Sequence, residues 1–368
     1  MFTVEMLPAS HGDCLWIEYG TAARPRRILI DGGPAYSYEA LARRLEKRLG
    51  HLPARRRRIE LVVITHIDAD HIGGVLELVI AHPLGITVGD VWFNSWEHLP
   101  GAAPDTLGAV QGEQLSAVIR ARKMPRNVAF GGEAVAVPER GALPVVCLPG
   151  GMRLTLLSPT LKELRRLRPR WKRTVEEAGL VAGSAEDALA KLRTQRRGKL
   201  PEDLLGVAVP DPPALAAAPF RPDTSVANGS SIALLAEYRG TRCLLAGDAL
   251  AGVLAGTIDR LTSANGEGRL AIDAFKLSHH GGKKNTSAEL LDRLRCRTYL
   301  FSTDGSRFGH PDPETVARAL LAGGEGTRLC FNYRTEINTV WDDRALKRQY
   351  GYETVFPAAG EDGLVVSL

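Results

Sequence analysis

The apolar positions of this chain fall into short blocks separated by glycine-rich or charged turns, a pattern that predicts many brief strands interleaved with helices. Near the start, Thr3–Leu7, Cys14–Tyr19 and Ile28–Ile30 read as strands broken at His11-Gly12-Asp13 and at Gly20. Ser37 is placed to cap a helix that runs to Gly50. Leu61–Ile64 reads as a buried strand, and Gly73-Gly74 as a sharp turn into a helix over Val75–Ala81. Val88–Asn94 predicts a strand, Gln111–Arg122 a helix, and 143–159 strand-like segments separated by turns. Residues 160–200 read as helical and charged, interrupted at Pro169 and Gly183. Residues 201–223, rich in Pro and Ala without a period, read as a linker or lid.

The second half repeats the style without repeating the sequence. Ser231–Tyr238 and Arg242–Ala246 predict a hairpin around Arg239-Gly240. Ile272–Leu277 and Thr298–Ser302 read as strands, Ser287 caps a helix over Ala288–Arg295, and another helix follows Pro313. Two strand-rich halves, each with helices, predict an α/β fold of two sheets packed face to face with helices outside. The expected organisation is one domain over 1–368, carrying a basic helical insert and a Pro/Ala-rich linker at about 160–223.

Composition narrows the class. At 44% hydrophobic residues over 368 positions the chain can bury a large core. It has no uninterrupted apolar run of about 18 residues, so no membrane span is expected. The first residues lack the basic and apolar regions of a secretory leader, and a cytoplasmic protein is expected. Five cysteines (Cys14, Cys147, Cys243, Cys296 and Cys330) show no C-x-x-C spacing and read as reduced core residues. The net charge of +5 is mild but uneven. Residues 161–200 hold twelve Lys/Arg against five acids, either a phosphate-facing surface or a solvated helical face. The tetra-Arg run Arg55–Arg58 carries the same pair of readings.

Chemistry concentrates just after the Leu61–Ile64 strand. His66, Asp68, Asp70 and His71 place two imidazoles and two carboxylates within six residues. Alternate residues of an extended chain share a face, so His66 and Asp68 can converge at a strand end. Neutral imidazole and carboxylate are the usual ligands of zinc, iron and manganese. This segment resembles the His-x-His-x-Asp-His signature of the metallo-β-lactamase superfamily, with Asp68 where most members have the second His. That variant is similar to the hydrolase domain of bacterial DNA-uptake (competence) channels. Later segments fit the resemblance: Asn228-Gly229-Ser230-Ser231, Gly247-Asp248, His279-His280-Gly281 and Gly309-His310-Pro311.

The resemblance implies an αββα sandwich of two mixed sheets and a pair of divalent ions, zinc or manganese. It implies metal ligation by His66, Asp68, Asp70, His71, Asp248 and His280, with Asp248 bridging. Asp68 or Asp70 orients the attacking water, and His310 donates a hydrogen bond or proton to the substrate. His279, Lys283 and Asn228 are expected at the substrate, with Asn228 also a replacement for a third-loop His ligand that the chain lacks. Asp31 is expected to order the metal loops by hydrogen bonding. His11, His51, His82 and His98 read as surface or packing residues.

The implied activity is metal-dependent hydrolysis, with a phosphodiesterase or nuclease favoured by the Asp68 variant and the basic insert. Nucleic acid or another phosphodiester is then the expected partner. A small-molecule ester, thioester or lactam hydrolase is the alternative, and an inactive metal-binding or regulatory module a third reading.

Overall fold

The computed structural model describes residues 1–100, 110–177, 210–359 and 363–368, together with Ser184, Ala188 and Glu361. Alternation along the strands decides the layers. On Leu15–Thr21, the side chains of Leu15, Ile17 and Tyr19 enter one buried cluster while Trp16 enters another. The neighbouring strands repeat this: Ile28, Ile30, Leu61 and Val63 join the first cluster, and Leu29, Val62 and Ile64 the second. A sheet apolar on both faces must be covered on both. A second sheet covers one face, its Leu154, Leu234, Leu244 and Phe275 sharing the first cluster. Helices Tyr38–Leu49, Ala69–Ala81, Val110–Ala121 and Leu161–Glu177 cover the other, through Leu41, Val75, Leu115 and Leu164.

The first sheet runs Leu364–Ser367, Phe2–Met6, Leu15–Thr21, Arg24–Ile30, Leu61–Val63, Val91–Trp92. Its last three strands are parallel and the rest antiparallel. The second sheet runs Glu353–Val355, Arg328–Phe331, Thr298–Phe301, Ala274–Lys276, Thr241–Leu245, Ala233–Tyr238, Arg153–Ser158, Val145–Cys147. It is parallel from Glu353–Val355 to Thr241–Leu245 and antiparallel beyond. Both sheets are therefore mixed, and the expected α/β sandwich is present. Parallel strands matter here because functional side chains gather beyond their C-terminal ends.

Several expectations change. The helix after the first ligand cluster starts at Ala69, so Asp70 and His71 lie in its first turn and Gly73-Gly74 lie inside it. The glycines serve close packing rather than a turn. A Cβ at Gly74 would meet the Gly32 carbonyl oxygen at 2.0 Å, and one at Gly73 the Ala35 nitrogen at 2.4 Å. The helix Leu161–Glu177 continues through Pro169 instead of breaking there, anchored by buried Leu164, Leu167 and Trp171. Its Lys162, Arg165, Arg166 and Arg170 are exposed. The basic residues from Lys191 to Lys199 and the Gly183 break lie outside the described residues. Part of the linker is ordered as a short helix, Pro212–Ala216, begun by Asp211, whose carboxylate accepts from the Ala214 N–H.

Ser287 caps its helix as expected, whereas Ser37 turns its hydroxyl to the Gly32 and Pro34 carbonyls. Cys147 is exposed, unlike the other four cysteines, and all five are unbridged. Among the described residues, no helix is long and apolar enough to cross a membrane.

Candidate metal centre

Five parallel-strand ends from the two sheets converge. Arg24–Ile30 ends at Asp31, Leu61–Val63 leads to Thr65 and His66, and Thr241–Leu245 leads to Asp248. Ala274–Lys276 leads to His279 and His280, and Thr298–Phe301 to Ser302. Asp31, His279 and His280 hold left-handed backbone conformations, at φ 57°, 50° and 56°. For residues other than glycine such strain persists only where surrounding contacts impose it, and it concentrates at functional sites.

Asp248 is the hub. Its carboxylate lies 3.7 Å from His66 Nε2, 3.4 Å from His71 Nε2, 3.7 Å from His279 Nε2 and 3.9 Å from His280 Nε2. Asp70 adds its carboxylate at 3.4 Å from His280 Nε2 and 4.0 Å from His71 Nε2. Asp68, its side chain 43% exposed, stands 3.6 Å from His66 Nε2 at the open side.

Each imidazole is turned inward by a partner on its other nitrogen. His71 Nδ1 lies 2.8 Å from Asp31, which also accepts from the Thr65 N–H and hydroxyl at 2.8 and 2.7 Å. His280 Nδ1 lies 2.9 Å from Asp13. His66 Nδ1 meets the Thr65 hydroxyl at 3.0 Å, and His279 Nδ1 meets Asn285 Oδ1 at 3.0 Å. A partner on Nδ1 fixes the tautomer and aims Nε2, which is how proteins prepare imidazoles for metals.

Charge balance says what this cluster fits. Asp13, Asp31 and Asp248 are buried and Asp70 nearly so, yet among the described residues Lys276 is the only Lys or Arg in an ion pair with any of them. Burial of that much negative charge is costly unless cations meet it. With no ion, imidazole protons take the role. Burial opposes charge on His71, but Asp248 and Asp31 outweigh it and hold the pKa well above the usual histidine value. His280 is carried to about 9 by Asp13 and Asp248 against the same opposition. Burial pushes the Asp248 carboxyl up, but His71 and His280 outweigh it and hold it well below the usual range; Asp70 is held low by the same pair.

The Nε2 atoms of His66, His71 and His280 and one Asp248 oxygen are buried without any hydrogen-bond partner. Orphaned groups of this kind are rare in native proteins and need a reason. Ligand atoms of His66, His71 and Asp248, and of Asp70, His71 and His280, lie within 4.8 Å of one another. The donor set fits divalent metal.

The other anticipated residues surround this core. Asp31, expected to order the metal loops, hydrogen-bonds Thr65 and lies 2.8 Å from His71 Nδ1. His310 packs its ring 5.3 Å from that of His279, with Asp312 3.2 Å from Nδ1. Asn228 is buried, donates to Asp223 at 2.7 Å and sits 3.4 Å from His279 Nδ1. Lys283 pairs with Glu314 at 2.8 Å. His51 and His82 are exposed, while His98 and His11 are buried. His11 meets Tyr36 at 2.9 Å and Arg307 at 3.4 Å.

Sequence reasoning missed Asp13 and Lys276, which pair at 2.7 Å with both side chains at 1% exposure or less. Ser302 also donates to Asp13. The signal was available: a lysine inside the apolar strand Ile272–Leu277 requires a buried acid.

Residues 11–154 match the family model of the metallo-beta-lactamase superfamily. No curated protein matches. Zinc-bound PqqB from Methylobacterium extorquens is similar at 13% identity and a TM-score of 0.45, with 100% of each chain covered. The metallo-beta-lactamase fold protein YhfI from Bacillus subtilis gives 11% and 0.40, covering 100% of this chain and 99% of its own. CmlA, a diiron beta-hydroxylase from Streptomyces venezuelae, gives 12% and 0.39, covering 100% of this chain and 54% of its own. The family match supports the metallo-β-lactamase superfamily for the segment that carries His66 to His71.

Proposed function

We propose that this protein is a hydrolase that uses two divalent ions, zinc or manganese. The observation that carries the reading is the set of buried imidazole Nε2 atoms without partners, gathered around the Asp248 carboxylate. In this reading Asp70, His71 and His280 would hold an inner ion and His66, Asp68 and His279 an outer one, with Asp248 available to both. His279 then occupies the ligand place for which Asn228 was a candidate, and Asn228 steadies it together with Asp223.

Such an ion pair supplies Lewis acidity and lowers the pKa of water to about 7. The protein's own groups do the rest. Asp68, open to solvent, would accept the proton of the attacking water. His310, backed by Asp312, gives a proton to the leaving group.

Phosphodiesters, nucleic acid included, are the favoured substrates. The helix Leu161–Glu177 packs against Val226–Gly229, which contains Asn228, and carries exposed Arg165, Arg166 and Arg170. The test is metal analysis joined to hydrolysis of bis-(p-nitrophenyl) phosphate and of single-stranded and duplex DNA. Two bound ions with diester cleavage are expected. Two ions with cleavage only of esters, thioesters or lactams moves the substrate class. Failure to retain zinc or manganese at all overturns the reading.

A further inference from the structure

We propose a second binding site, for a compact polyphosphate anion, at the opposite end of the strands that carry the metal centre. Six arginines line one cavity of about 350 Å³: Arg24, Arg26, Arg27, Arg55, Arg56 and Arg58. Glu60 is the only acid in its wall.

The cavity is built rather than incidental. The buried Glu60 carboxylate holds Arg26 at 2.7 Å and Arg58 at 2.9 Å. Arg27 reaches the Arg56 carbonyl at 3.4 Å, and Arg56 reaches the Ala23 carbonyl at 3.0 Å. Four guanidinium groups are therefore held in place before any ligand arrives, which lowers the ordering cost of binding. Arg24 and Arg55 are exposed at its edge.

The one arginine of the run that does not line the cavity, Arg57, shows what a structural role looks like here. Arg57 turns away and donates to the carbonyls of Gly50, Leu52 and Leu84, tying down the end of the Tyr38–Leu49 helix. Its three neighbours, whose side chains were free to spread over the surface, instead share the cavity with the start of the Arg24–Ile30 strand.

Outside the wall, and among the described residues, only Arg27 gains a further acid, Glu18 at 3.5 Å. Six cations against one lining carboxylate within this volume repel one another, and an anion of three or more charges relieves that. Planar guanidinium forks suit phosphate oxygens bidentately. A di- or triphosphate group matches both the charge density and the volume; a duplex is too wide to enter.

The site is separate from the metals. Arg24–Ile30 and the parallel Leu61–Val63 both begin at the cavity and end at the metal centre. Seven residues at about 3.3 Å each put roughly 20 Å between them.

The test is isothermal calorimetry of inorganic pyrophosphate and tripolyphosphate into the full chain stripped of metal. One saturable site is expected, weakened at least tenfold in Arg24→Ser/Arg55→Ser and unchanged in Arg239→Ser/Arg295→Ser. Both exposed pairs are chosen to leave the fold intact, as circular dichroism would verify. No saturation at 1 mM, or equal weakening by both double variants, overturns the proposal. So does arginine-dependent binding of duplex DNA without binding of either small anion. None of these outcomes depends on the hydrolase reading, because no metal is present.

Discussion

His279 and His280 are adjacent, share a strained backbone and point at the same carboxylate, yet they are supported differently. His280 is buried, and its Nδ1 faces Asp13, itself fixed by Lys276 and Ser302. His279 is 27% exposed at its side chain, and its Nδ1 meets the neutral amide of Asn285 at 3.0 Å, with the Asp223 carboxylate farther off at 3.9 Å. The same contrast separates His71, backed by Asp31, from His66, backed by the Thr65 hydroxyl. Inner imidazoles have a carboxylate within hydrogen-bond reach of Nδ1, and outer ones a neutral group there, with the nearest carboxylate to His279 Nδ1, Asp223, at 3.9 Å. A carboxylate makes the imidazole a stronger donor and holds it more rigidly. The inner ion should therefore bind first and leave last, and the outer position, with exposed Asp68, should exchange with solvent.

The largest effect should follow from breaking the inner support. Asp13→Ala leaves Lys276 buried without its anion and His280 without its anchor. Removing one partner of a buried pair costs about 3–5 kcal/mol. Urea denaturation should show that loss in metal-free protein, and bound metal should fall below two ions. A variant within 1 kcal/mol of the parent would mean the pair is not what holds this corner.

Removal of the shared ligands comes next. His71→Ala and Asp248→Ala should abolish hydrolysis and the inner ion while the far-ultraviolet circular dichroism stays native. Loss of activity together with wholesale unfolding would leave the ligand assignment without support.

Support residues give a graded version of the same comparison. Asp31→Asn should lower inner-ion affinity by about 10–100-fold, the usual range for such partners. Asn285→Ala should weaken the outer ion by less than about tenfold, since a neutral partner supplies orientation with little charge. Competition with a chelator, read as two metal-release steps, measures both. Equal effects on the two steps would erase the distinction between inner and outer positions.

These supports were the part of the site least legible in the sequence. The candidate ligands were readable because His66 to His71 are contiguous and because Asp248 and His279-His280 follow apolar strands that announce strand ends. The sandwich was readable from two strand-rich halves, each with helices. Asp13 was hidden because its partners stand 263 and 289 residues away, and no local pattern encodes such a pairing. The Gly73-Gly74 pair misled for a related reason. Its glycines answer to the backbone of Gly32 and Ala35, which only the folded packing brings near. Pro169 misled because tertiary anchoring by Leu164, Leu167 and Trp171 holds the helix through it.

A buried histidine outside the centre sharpens the contrast with the smallest expected effect. His98 Nδ1 accepts from the Ser95 backbone N–H at 3.0 Å, so its support is a donor where that of His71 and His280 is a carboxylate. Burial and the neighbouring Arg126 push its pKa down to about 4, whereas His280 is carried up to about 9. The sign follows from which state binds the proton. Between pH 6.5 and 4 the unfolded chain protonates this histidine and the folded chain does not, so stability is complete above 6.5 and lost as pH falls towards 4. His98→Asn keeps an acceptor for the Ser95 N–H and cannot titrate. It should flatten the decline in urea-unfolding free energy between pH 7 and pH 5 by about 1–2 kcal/mol. A decline as steep as the parent's would place the acid sensitivity on other groups, with Glu97, whose carboxyl is held low by Arg126 and His98 against burial, as the next to replace.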